Sequence, residues 1–85
     1  MKRYDVIVVA TAVRALQRMQ TIDRERCERA ITGLAVEPRP PGAIKLTGRE
    51  EWRVRVGDFR ILYQIENERL IVTVADVAKR DDVYR

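Results

Sequence analysis

Trp52-Arg53-Val54-Arg55-Val56-Gly57-Asp58-Phe59-Arg60-Ile61-Leu62-Tyr63 is the stretch that decides the fold of this chain. Trp52, Val54 and Val56 alternate with Arg53 and Arg55, the period of a strand with one buried face. Phe59, Ile61, Tyr63 and Ile65 resume the alternation after Gly57-Asp58. A two-residue break with glycine first predicts a type II′ hairpin turn, whose first position needs positive φ. That turn sets the register: Val56 opposite Phe59, Arg55 opposite Arg60, Val54 opposite Ile61, Arg53 opposite Leu62. Arg53, Arg55 and Arg60 then share the face turned away from the core. Like charges directly opposite cost roughly 0.2–1 kcal/mol, which an anionic ligand on that face would offset. Long arginines can equally spread over Leu62 and Ile71 and stay solvated, and at this point both readings stand.

Working outward, Glu66-Asn67-Glu68-Arg69 predicts a second polar turn, and Leu70 to Val77 a last strand completing a three-stranded antiparallel meander. At the other end, Tyr4 to Val9 is short and β-branched, and predicts a strand lying well inside the sheet. Ala12, Val13, Leu16 and Met19 fall on one face of a helix from about Ala10 to Gln20. Cys27, Ala30, Ile31 and Leu34 do the same for a helix from about Asp23 to Val36, capped by Thr21 or Asp23 and stopped by Pro38. Glu37 to Gly42 predicts a stiff, exposed connection, and Ala43 to Glu51 a loop. The chain is thus a single α+β domain, residues 1–85, with two helices on one sheet face. Nothing remains to cover the other face, so it should meet solvent or a partner.

The 85 residues carry 17 Lys and Arg against 13 Asp and Glu, a net charge of +4 that favours an anionic partner. With 35% charged residues and no long apolar run, neither a membrane segment nor a signal peptide is expected, and the location expected is cytoplasmic. Histidine and serine are both absent, and there is one cysteine. Zinc sites of His and Cys, internal disulfides and Ser-His or Cys-His nucleophilic catalysis are therefore excluded, and no metal or cofactor is implied. Any chemistry must run on Arg, Lys, Tyr, Asp and Glu.

Other candidates carry weaker signals. Arg80 and Tyr84 follow the last strand and could reach the rim of the arginine face, or belong to a frayed tail. A tyrosine among arginines can stack on a base, and a pKa lowered from about 10 would let it accept a proton. Lys45 suits a phosphate contact and simple solvation equally well. Trp52 and Cys27 belong to the core. The acidic pairs Glu50-Glu51 and Asp81-Asp82 do not make a metal site, because neighbours on a strand point apart.

Taken together and in order, Pro38-Arg39-Pro40-Pro41-Gly42, Lys45-Leu46-Thr47-Gly48, the Trp52–Tyr63 hairpin and Lys79-Arg80-Asp81-Asp82-Val83-Tyr84-Arg85 resemble the RelE branch of the RelE/ParE toxin superfamily. The resemblance spans nearly the whole chain. It implies a RelE-like fold and the toxin of a type II toxin–antitoxin pair that cleaves messenger RNA on the ribosome without a cofactor. It also implies a cognate RelB-like antitoxin with an acidic amphipathic segment. Carried over by motif, it assigns Arg53, Arg55, Arg60, Arg80 and Tyr84 as catalytic, and Lys45, Arg53, Arg55 and Lys79 as substrate-binding. Where some relatives have lysines, Arg53 and Arg55 hold phosphate bidentately but surrender a proton less readily. Two rival expectations are a ParE-like inhibitor of DNA gyrase and a non-catalytic nucleic-acid-binding module.

Overall fold

The computed structural model describes residues 3–48 and 50–79. Its elements run β1 (Asp5–Val8), α1 (Ala10–Gln17), α2 (Thr21–Gly33), β2 (Ile44–Lys45), β3 (Trp52–Val56), β4 (Phe59–Glu66) and β5 (Ile71–Lys79). They form one five-stranded sheet in the order β1-β5-β4-β3-β2. The β1–β5 pair is parallel and the others are antiparallel, which makes the fold α+β with a mixed sheet.

Helix α1 contributes Ala12 and Leu16 to the core, and α2 with its C-cap contributes Cys27, Ile31 and Leu34. They meet Val54, Ile61, Tyr63, Val72, Val74 and Val77, the inward residues of β3, β4 and β5. All the helical packing falls on this one face, as the two amphipathic stripes predict. Helix α1 stops earlier than its periodicity suggests, because Arg18 and Met19 bond back three residues, to Ala15 and Leu16, and tighten the last turn. At the start of α2, Gln20 occupies the N-cap without a side-chain bond, so neither Thr21 nor Asp23 caps it; Asp23 lies in the first turn, favourably placed for the helix dipole.

Three other expectations are corrected. Strand β1 is an edge strand, not an interior one: β5 has one edge left after pairing with β4, and β1 takes it. Its apolar residues are only half covered, with Ile7 49% exposed. Within the expected loop, Ile44 and Lys45 pair with Arg53 and Trp52 as a strand too short to show a period. The connection after α2 is also tied down: the buried Tyr63 hydroxyl donates to the Pro38 carbonyl at 2.8 Å. Beside it the Arg39 guanidinium lies 5.2 Å from the centre of the Trp52 ring. Asn67 Oδ1 accepts from Arg39 Nη2 at 3.4 Å and from the Tyr4 hydroxyl at 2.9 Å, joining this connection to the β4–β5 turn. In that turn Leu70 has φ 54, so the last strand begins one residue later than expected.

Candidate functional site

The β3–β4 hairpin pairs as its sequence dictates, with Val56 opposite Phe59, Arg55 opposite Arg60, Val54 opposite Ile61 and Arg53 opposite Leu62. Gly57 has φ 58 and Asp58 is not in the positive-φ region, the pattern of a type II′ turn. The Arg26 guanidinium of α2 rests over this turn: a Cβ on Gly57 would lie 3.3 Å from both its Nη atoms. The glycine therefore serves both the dihedral and the close approach of the helix.

Because residues directly opposite across a ladder point to the same face, the side of the sheet away from the helices can be read in rows. One row is Arg55–Arg60–Ala78, and the next is Ile44–Arg53–Leu62–Asp76. Arg53, Arg55 and Arg60 are thus brought onto one face, with Arg55 and Arg60 about 4.5 Å apart at their Cα atoms as a non-hydrogen-bonded pair. They differ in access. Arg55 is exposed and Arg53 half-buried, whereas Arg60 is only 3% exposed and Leu62 beside it 8%. The expectation of an uncovered face therefore fails at Arg60 and Leu62.

The two lysines are not part of this face. Lys45 sits opposite Trp52, on the helix side, with its Nζ 3.7 Å from a Glu50 carboxylate oxygen. Lys79 sits opposite Phe59, in a hollow it shares with Arg18 and Asp23. In both cases the strand alternation decides the side: Ile44 and Ala78, not the lysines, take the arginine side. Arg80 and Tyr84 lie outside the described residues.

The residue that sequence reading missed is Asp76. In the β4–β5 ladder Leu62 faces Asp76 while Tyr63 faces Val74, so Ala75 is an extra residue, a β-bulge. Val72 and Val74 point inward two apart, and Val77 points inward three residues further on. The bulge returns Val77 to the core and swings Asp76 onto the arginine face. The spacing Val72, Val74, Val77 was the available signal.

Of the ionisable groups in the core, Tyr63 is pushed up to about 12, by burial first, with Glu37 adding and Arg39 opposing. Burial, aided by Asp23, likewise raises the Cys27 thiol. Both stay protonated at neutral pH, so neither supplies a nucleophile. No helix among the described residues is long and apolar enough to cross a membrane.

The class of domain is thus a small mixed sheet with a helical hairpin on one face and arginines gathered on the other. The family model described as ParE toxin of type II toxin-antitoxin system, parDE, matches residues 5–84, and the chain belongs to this family within the RelE/ParE superfamily. Among solved structures, the archaeal RelE–RelB complex from Pyrococcus horikoshii OT3 is similar at 26% identity and TM-score 0.83, over 92% of this chain and 96% of that one. The toxin–antitoxin complex RelBE2 from Mycobacterium tuberculosis is similar at 25% identity and TM-score 0.78, over 92% and 99%. The intact E. coli RelBE complex, at 22% identity and TM-score 0.77 over 89% and 95%, shares the fold. No curated protein sequence matches this chain.

Proposed function

We propose that this chain is the toxin of a type II toxin–antitoxin pair and that it cleaves messenger RNA on the ribosome, in the cytoplasm. The observation that carries the reading is the Arg55–Arg60 cross-strand pair with Arg53 beside it. Arginines gathered on one sheet face suit a phosphodiester that becomes more anionic as it reacts. The reaction is attack of a ribose 2′-oxygen on the adjacent phosphorus: the O2′–P bond forms, the P–O5′ bond breaks, and the products are a 2′,3′-cyclic phosphate and a 5′-hydroxyl. It needs alignment, a proton acceptor and cations around the phosphorane. Arg53 and Arg55 would grip the phosphate oxygens. Arg60 is paired with Arg55 across the hairpin and buried beside it. Arg80 and Tyr84 join the site by family resemblance, as a further cation and as the aromatic group that meets the nucleotide. Lys45 and Lys79 stand outside this clamp.

A chain without histidine is poorly equipped to align and deprotonate a flexible RNA alone, which favours a substrate already bent by the ribosome. The similar structures solved as RelE–RelB and RelBE complexes support a RelB-like antitoxin as partner. An acidic amphipathic segment that folds on binding would match the arginine face. Purified ribosomes programmed with a defined message test the reading. The expected result is cleavage leaving cyclic phosphate ends, little cleavage of free RNA, and at least a tenfold lower single-turnover rate for Arg55→Ala. A wild-type chain that leaves ribosome-bound message intact refutes it.

The matching family model is that of ParE, and Arg60 is buried; both favour a second reading, inhibition of DNA gyrase by binding. A gyrase inhibitor would block supercoiling in a purified assay and leave programmed ribosomes untouched.

A further inference from the structure

We infer that Asp76 is the proton acceptor for the attacking 2′-hydroxyl. The inference rests on the nuclease reading and deepens it. Its starting point is the bulge at Ala75, which costs β5 a regular ladder step and in return places a carboxylate among cations. Bulges re-aim side chains, and here the residue re-aimed is, among the described residues, the one acid in the rows that hold Arg53, Arg55 and Arg60.

Its position suits the role. Asp76 is diagonal to Arg60 across the β4–β5 ladder, a separation of about 7–8 Å. It lies two strands from Arg53 in the same row, about 10 Å away at the strand spacing. A phosphate held on Arg53 and Arg55 would therefore have the carboxylate within reach of the adjoining ribose. Asp76 is exposed, and its Oδ1 accepts the backbone N–H of Val77 at 2.9 Å, which pins the carboxyl group to its own strand. Among the described residues it makes no ion pair, so it is held near the cations without neutralising them. The groups facing it are Leu62 directly opposite, Arg60 and Gln64 on the diagonals, and Arg53 beyond Leu62; β1 pairs with β5 only as far as Val74. The helices lie behind the opposite face of the sheet.

In the step proposed, the 2′-hydroxyl proton passes to an Asp76 oxygen as the O2′–P bond forms. The P–O5′ bond breaks, and the 5′-oxygen takes a proton from solvent water. Oxidation states do not change, and no co-reactant beyond water is needed. In a chain with no histidine a carboxylate can take this proton, whereas arginine holds its own too tightly.

The test is single-turnover cleavage on programmed ribosomes, with ribosome affinity measured in parallel. Asp76→Asn keeps the size and the acceptor for the Val77 N–H but cannot take a proton. Its cleavage rate should fall about 10²–10⁴-fold with affinity within a small factor of wild type. Asp76→Glu should restore part of the rate, and added formate should partly rescue Asp76→Ala, which a purely structural aspartate would not allow. Asp76→Asn cleaving within threefold of wild type overturns the inference while the nuclease reading survives. An Asp76→Asn loss confined to affinity, or an Asp76→Ala variant that formate does not rescue, also overturns it. A wild-type chain that cleaves nothing overturns the nuclease reading and this inference with it.

Discussion

Arg55 and Arg60 occupy the same cross-strand pair yet should respond to substitution in opposite ways. Arg55 is exposed, so Arg55→Ala removes a like-charge contact at little packing cost, and the melting temperature should stay level or rise slightly. Arg60 is 3% exposed, and its alanine variant loses a buried side chain; about 1–3 kcal/mol of stability should go with it. Parallel thermal melts of the two variants check this, and equal melting points would contradict the burial. Activity lost in Arg55→Ala can then be read as chemistry, whereas in Arg60→Ala it cannot. Tyr63 makes a second residue-scale prediction. Tyr63→Phe strands the Pro38 carbonyl and should cost about 1–3 kcal/mol at neutral pH. The phenol is held up to about 12 in the fold against an ordinary value of 10, so the unfolded chain loses its proton first as pH rises. The unfolded state then binds fewer protons than the folded state, and stability falls between about pH 10 and pH 12. Melting points of wild type and Tyr63→Phe across that window should converge; if they remain parallel, the hydroxyl is not buried as described.

The hairpin was legible because every signal that specifies it is local. A two-residue turn with glycine first leaves one register, and the register leaves one side for each arginine. Gly57→Ala should therefore cost about 1–2 kcal/mol from the positive φ alone. The Arg26 guanidinium that a new methyl would meet is the mobile end of a long side chain and can move aside. The loss should thus be the same in an Arg26→Ala background, and a loss that disappears there would trace the cost to the contact instead. Other elements were illegible for physical reasons. Two residues of β2 cannot display a period. The edge position of β1 depends on which strand has a free side, a property of the assembled sheet and not of Tyr4 to Val9. Alternation gives the side a residue points to but not what covers that side, which is why Arg60 and Leu62 were expected in solvent. The bulge at Ala75 was written in the Val72, Val74, Val77 spacing, and its consequence is that Asp76, absent from the sequence-based site, joins the arginines.

At the scale of the molecule, a net charge of +4 combines with a sheet whose one face is taken up by helices and whose other gathers arginines. Binding of an acidic antitoxin peptide should accordingly weaken as salt rises from low to physiological levels, with the slope reduced in Arg55→Ala; calorimetric titration at several salt concentrations would show it. An affinity indifferent to salt would mean that apolar contacts dominate the interface. The parallel β1–β5 pair also has a consequence for the order of events during synthesis. Asp5 to Val8 are made early, but the backbone they bond to, from Ile71 to Val74, emerges only after both helices and the hairpin. A nascent chain arrested before Ile71 leaves its first strand without a ladder, and closing so long a loop is slow. The sheet is therefore complete only once Ile71 to Val74 have been made, so a nascent chain that stops short of them has both helices and the hairpin but not the finished fold.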